Sequence, residues 1–272
     1  MTTLTATTED RVAAAPVRAR PDVRPIPMGR VIGVELRKMF DTRSGFWLMA
    51  SIGILAVLAT GAVILFAPDD QITYDNFSAA IGFPMAVILP MIAILSVTGE
   101  WSQRSGLTTF TLVPQRGRVI WAKLVAAVGV GVVSMGVAFA VGALGNVLGS
   151  AITGNDQVWD VTLLHAGYIV LANVLGMLVG FMLGVVIRSS PGAIVAYFVY
   201  SLLLPTLSML LANSQQWFED LQLWVDFNFA QGALFEGEMN GEAWAQLGTA
   251  STIWLVAPLV VGLLLVRRAE VK

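Results

Sequence analysis

Apolar residues in this chain do not alternate with polar ones; they run. Six uncharged stretches stand out, Phe46–Phe66, Phe77–Val97, Leu124–Ile152, Leu163–Ile187, Ala193–Leu211 and Leu247–Val266. The hydrocarbon core of a bilayer is about 30 Å thick and takes roughly 20 residues of helix to cross. Each stretch has that length, and none holds an Asp, Glu, Lys or Arg. The pattern predicts an all-α membrane protein with six transmembrane helices. Pro84 and Pro90 interrupt the second stretch, which a membrane helix tolerates when neighbours re-satisfy the freed carbonyls. The third is longer than a crossing needs, so it is expected to tilt or to leave the bilayer near Gly149.

The segments between the runs carry all the charge, and they carry it unevenly. On one side lie residues 1–45, 98–123, 188–192 and 267–272, which hold all sixteen Lys and Arg. The other side, 67–76, 153–162 and 212–246, holds none. By the positive-inside rule the basic side is cytoplasmic, which places both termini in the cytoplasm. Eleven of the eighteen acids lie on the opposite side, so a net charge of −2 conceals a strongly dipolar molecule. Residues 1–27 contain Pro16, Pro21, Pro25 and Pro27 and no apolar period. They read as a disordered cytoplasmic tail without the hydrophobic region of a signal peptide.

Three polar-side segments have internal patterns of their own. In residues 28–45, Val31, Val34, the stem of Lys38 and Met39 follow helical spacing, with Leu36 and Phe40 beside them. Glu35, Arg37, Lys38 and Arg43 fill the remaining arc. This is an amphipathic helix abutting the first span along the inner interface, with Arg37 and Asp41 placed for an i,i+4 ion pair. Residues 98–123 form a loop longer than two spans need. Within it, Glu100–Phe110 is predicted as a short helix, Pro114–Gly117 as a turn, and Val119–Lys123 as the opening of the third span. Residues 212–246 set Trp217, Leu221 and Trp224 on one face and Glu219, Gln222 and Asp226 on another. That acidic outer helix either lies at the interface or dips into the bilayer against other spans. Gly232, Gly237 and Gly241 are read as turns leading to the last span.

Composition narrows the chemistry. The chain has 272 residues, 56% apolar and 12% charged, with no cysteine and one histidine. There is no disulfide scaffold and no Cys/His metal cluster to build, and the net charge offers no footprint for nucleic acid. Ion-coupled carriers and proton pumps need ionisable groups at membrane depth. The predicted spans offer only His165, near one end, and the amides Asn146 and Asn173. Asn173 should face neighbouring helices; the two amides are either packing groups or part of a pathway. Gly176, Gly180 and Gly184 recur every four residues, as do Gly145 and Gly149, a spacing that lets helices approach closely. No catalytic constellation is visible. Lys38, Lys123 and Lys272 all lack a preceding glycine-rich phosphate loop, so any ATP must be bound by another chain.

Taken in order, ELRKMFDTRSGFW at residues 35–47, GEWSQRSGLTTFTLVPQRGRVIWAKL at 99–124 and the six-span layout with a long outer segment resemble a membrane subunit of the actinobacterial type-2 ATP-binding-cassette exporters. The resemblance covers residues 29–272 and departs from the family at Leu107, which stands between Gly106 and Thr108 where a basic-Gly-Thr run is common. It implies that residues 28–45, with Glu35, Arg37 and Lys38, form the family's elbow helix. Residues 98–123 would carry the coupling helix that sits in an ATPase cleft. Trp101, Leu107 and Phe110 would be its buried contacts, Glu100 and Arg104 would set register, and Gly106, Thr108, Pro114 and Arg116 would shape it.

It further implies a homo- or heterodimer of permease subunits in a bacterial cell membrane, with two ATPase subunits holding ATP and Mg on the cytoplasmic side. No catalytic residue or cofactor is expected in the chain itself, which is therefore not an enzyme. The apolar spans suit a hydrophobic or amphipathic cargo such as a drug or lipid. The alternative is a non-transporting polytopic protein, of an immunity or sensor type, whose loops recruit other factors.

Overall fold

The computed structural model describes residues 26–102 and 116–268. Among them the secondary structure is helical, and six helices are long and apolar enough to cross a membrane. The chain reads as a multi-pass membrane protein. Helix α1 (Met28–Asp41) precedes the first span, α2 (Arg43–Phe66). The second, third and fourth spans are α3 (Tyr74–Ser102), α4 (Arg116–Thr153) and α5 (Leu163–Ile187). The fifth comprises α6 (Ser190–Phe198) and α7 (Leu204–Ser214), joined by a π turn. Helices α8 (Gln216–Val225) and α9 (Phe227–Glu236) follow. The sixth span comprises α10 (Gly241–Ser251), a second π turn, and α11 (Ala257–Arg268).

Burial decides which spans are central. The most apolar stretches of α3 and α5 are each 56% buried, whereas those of α2 and the fifth span are 11% buried. So α3 and α5 form the inner pair and the others surround them. Two clusters fill the interior. One gathers Met85, Leu89, Met135 and Phe181 with residues of α1 and α2; the other gathers Ile94, Val179, Tyr197, Phe227 and Leu234. Small residues permit the central contact: a side chain at Gly180 would meet the Pro90 carbonyl oxygen at 2.8 Å. Gly184 lies against Ile94 and Val97 in the same crossing, and Gly176 lies near the Tyr197 hydroxyl. Gly145 and Gly149 admit Phe77 in the same manner between α3 and α4.

Proline shapes three spans. Pro90 carries no N–H, which frees the carbonyl of Ala86 four residues earlier. The Tyr197 hydroxyl, from the fifth span, donates to that oxygen at 2.8 Å, and α3 continues unbroken. In the fifth and sixth spans the answer is a wider turn. Leu204, just before Pro205, donates its N–H back to Val199, and Ala257, just before Pro258, donates to Thr252. Both are i→i−5 bonds, the π geometry that inserts one extra residue per turn. The two wide turns meet through Tyr200 and Trp254, whose rings lie 5.9 Å apart.

The helices extend past the uncharged runs: four run beyond them at both ends and the first at its N-terminal end, while Leu163–Ile187 coincides with its run. Other sequence expectations need correction. The third helix reaches back to Arg116, so at 1.5 Å per residue its 38 residues span about 57 Å and project well past a hydrocarbon core. The outer segment is two helices, and the arc holding Trp217 and Leu221 on α8 is exposed. Gly232 is helical, inside α9. A true turn falls at Gly237, whose φ of 77° is the left-handed form that glycine adopts without strain. Arg37 and Asp41 form no ion pair; both are exposed. α9 lies alongside α5, where Gln231 donates to the carbonyl of Ala172 and the ring nitrogen Nε2 of His165 meets that of Phe235 at 2.7 Å.

Candidate functional site

Charge is scarce in this protein, which makes its placement informative. The amphipathic period of α1 turns Val31, Glu35 and Met39 inward together, and all three are buried. Glu35 therefore does not occupy the solvated arc that the sequence pattern assigned to it. The C-terminal turn of α3 brings in Glu100, and the early turns of α4 bring in Lys123. Both were expected outside the bilayer-spanning runs, and both are buried within the helix ends.

These side chains, with Lys38, close a square of alternating charge. Lys38 Nζ lies 2.8 Å from Glu35 Oε1 and 3.0 Å from Glu100 Oε1. Lys123 Nζ lies 2.5 Å from Glu35 Oε2 and 3.1 Å from Glu100 Oε1. The Lys123 ammonium also donates to the Ser96 carbonyl at 2.9 Å. Three of the four side chains are almost sealed; Lys38 is the exception, with 41% of its side chain exposed. Two acids and two bases make the square neutral, which is the condition for keeping ions in a low-dielectric interior. Desolvation works against the Lys38 ammonium, but hydrogen bonds and charge from Glu35 and Glu100 outweigh it and hold its pKa above the ordinary lysine value.

The neighbourhood is built to keep the square in register. Thr42 caps α2 by accepting from the Gly45 N–H at 3.1 Å. A side chain at Gly45 would collide with the Met39 carbonyl, so the tight passage from α1 into α2 needs glycine. On α3, Thr98 donates to the Ile94 carbonyl, and its Oγ1 lies 2.7 Å from Ser190 Oγ at the start of α6. A cleft of about 300 Å³ borders the square, lined in part by Lys38, Thr42, Ser44, Ser96, Lys123 and Ser190. The arrangement binds three helices at one end of the bundle through fixed charges. Among the described residues no group of three or more His, Asp or Glu could hold a metal ion.

The other sequence-derived positions distribute as follows. Trp101 is partly buried against the first core cluster. Arg104, Gly106, Leu107, Thr108, Phe110 and Pro114 lie outside the described residues, and so does the side chain of Arg116. Asn146 is fully buried and donates to the Val158 carbonyl at 3.0 Å. Asn173 is buried and donates back to Ile169 within its own helix, so its amide N–H serves α5 rather than a neighbouring span. The sequence reading missed Lys123 as a site residue, and it missed Tyr197, Gln231 and Trp254 as ties between helices. For Lys123 a signal existed: a lone lysine at the mouth of a 29-residue uncharged run needs a counter-charge. Trp254 gave no such signal. Its indole N–H donates to the Val225 carbonyl at 2.7 Å, a partner 29 residues distant that no periodicity reveals. Compared with protein-family models and with curated proteins, the chain matches none.

Proposed function

We propose that this chain is the permease subunit of a type-2 ATP-binding-cassette exporter, carrying a hydrophobic or amphipathic substrate such as a drug or lipid. It works as a homo- or heterodimer in a bacterial cell membrane with both termini cytoplasmic. Two separate ATPase subunits, holding ATP and Mg, dock on the side where all sixteen basic residues lie. The observation that carries the reading is the charge square. Residues 103–115 are bracketed by the end of α3 and the start of α4, and Glu100 and Lys123 sit on those two helix ends, both tied to α1. A force applied to that segment by a closing ATPase pair passes into α1, α3 and α4 as one body. The absence of a nucleotide-binding loop in the chain agrees with an engine supplied from elsewhere.

The test is to co-purify the chain with the ATPase encoded beside it and to measure ATP turnover. Phe110→Asp is expected to uncouple or release the ATPase, and Glu100→Ala to lower turnover stimulated by substrate. If both variants bind and turn over ATP as the parent does, the coupling assignment fails. If no ATPase accompanies the chain, the non-transporting reading replaces it.

A further inference from the structure

A second cavity, of about 650 Å³, lies beneath α1 where it meets α2 and α4. That volume falls within the roughly 300–1,000 Å³ of ligand-sized clefts. α1 forms its roof with Ile32, Leu36 and Phe40; Gly53 of α2 and Gly129 and Val133 of α4 stand among its wall residues. Apart from Ser134 the lining is apolar. Nothing lies within 4 Å of where a side chain would grow from Gly53 or Gly129, so the chain itself leaves the space open. Its walls belong to two membrane-spanning helices, which puts it at acyl-chain depth in the leaflet that α1 faces.

Charge selects among the lipids of that leaflet. Glu35 and Glu100 are already matched by Lys38 and Lys123 in the buried square. Along α1 and in the first turns of α2 and α4 this leaves Arg30, Arg37, Arg43 and Arg118 against Asp41 alone among the described side chains, with Arg118 also donating to the Ile26 carbonyl at 2.7 Å. Arg118, Trp121 and Val125 follow one another at i, i+3, i+7 on α4, a cation and then a half-exposed indole leading into the cavity wall. Indoles settle at headgroup level, and basic side chains there attract anionic headgroups.

We propose that the cavity holds an acyl chain of an anionic phospholipid, whose headgroup is met by the arginines of α1 and of the first turns of α2 and α4, beside Trp121. The site follows from the membrane-spanning architecture and the excess of arginine on these helices, and it stands or falls independently of the transport reading. The experiment uses the full chain reconstituted in phosphatidylcholine vesicles. Into these either phosphatidylglycerol or phosphatidylcholine with brominated chains is introduced at equal fraction. The Trp121 contribution to fluorescence is isolated by difference from Trp121→Phe.

Brominated phosphatidylglycerol is expected to quench Trp121 severalfold more than brominated phosphatidylcholine. Filling the space with Gly129→Leu is expected to remove that preference while circular dichroism and the elution volume stay as in the parent. Equal quenching by the two lipids, or a preference that survives Gly129→Leu, overturns the proposal. So does a shift of the parent from a larger to a smaller particle on Gly129→Leu, since the cavity would then be covered by a second copy of the chain. Should Gly129→Leu fail to fold, Gly53→Leu repeats the test from the opposite wall, and Arg118→Gln with Arg37→Gln tests the headgroup contact without filling the cavity.

Discussion

Lys123 offers the sharpest perturbation because its loss unbalances a sealed site. Lys123→Met keeps the apolar stem and deletes the ammonium. The side chains of Glu35 and Glu100 are 3% and 4% exposed, so water cannot replace what is lost. Both carboxylates would then lose their Lys123 partner, and the Ser96 carbonyl would lose its Lys123 donor. Removing one partner of a buried ion pair costs about 3–5 kcal/mol, chiefly because the remaining charge stays buried without compensation. Thermal or denaturant unfolding in detergent micelles reads that loss.

Electroneutrality predicts the rescue. Adding Glu35→Gln to Lys123→Met removes the surplus carboxylate and leaves Glu100 paired with Lys38. The double variant is therefore expected to recover more than half of the lost stability, although two substitutions separate it from the parent. Contacting residues in such cycles show interaction energies of about 0.5–3 kcal/mol. A cost below about 1 kcal/mol for Lys123→Met, the range of exposed ion pairs, refutes the idea that the square is a sealed unit. A double variant weaker than the single one refutes the electroneutrality argument.

Other consequences follow from the same geometry. The folded-state pKa of Lys38 is raised, so its contribution to stability is complete below the ordinary value of 10.5 and fades as pH rises through the higher folded value. Unfolding in alkaline buffers should show that decline in the parent and less of it in Lys38→Met. Tyr197→Phe deletes the donor that answers the Pro90 gap in α3. Its expected cost is about 0.6–1.7 kcal/mol, the range for polar ties between membrane helices, and no loss at all would show the freed carbonyl to be otherwise satisfied. Gly180→Ala forces a methyl group against the backbone of Pro90, an overpacking expected to cost about 1–3 kcal/mol. Gly53→Ala faces open space and serves as its near-neutral counterpart in the same unfolding assay.

The sequence by itself determined what depends on composition along a line. Uncharged runs of about 20 residues leave a helix as the form that satisfies every backbone group in lipid, and all six emerged as helices at the expected places. The amphipathic period of α1 was equally legible, because a 3.6-residue repeat is a local property. Its phase was not. The pattern assigned Glu35 to solvent because an isolated carboxylate belongs there; the fold buries it because Lys38 and Lys123 converge on it from one turn away and from a helix 88 residues further on. The charge square, the Tyr197 answer to Pro90 and the docking of α9 on α5 are products of long-range closure. Each joins partners whose spacing along the chain carries no period. Only tertiary structure decided that Glu35, Lys38, Glu100 and Lys123 close on one another and that α1, α2 and α4 leave an apolar cleft open between them.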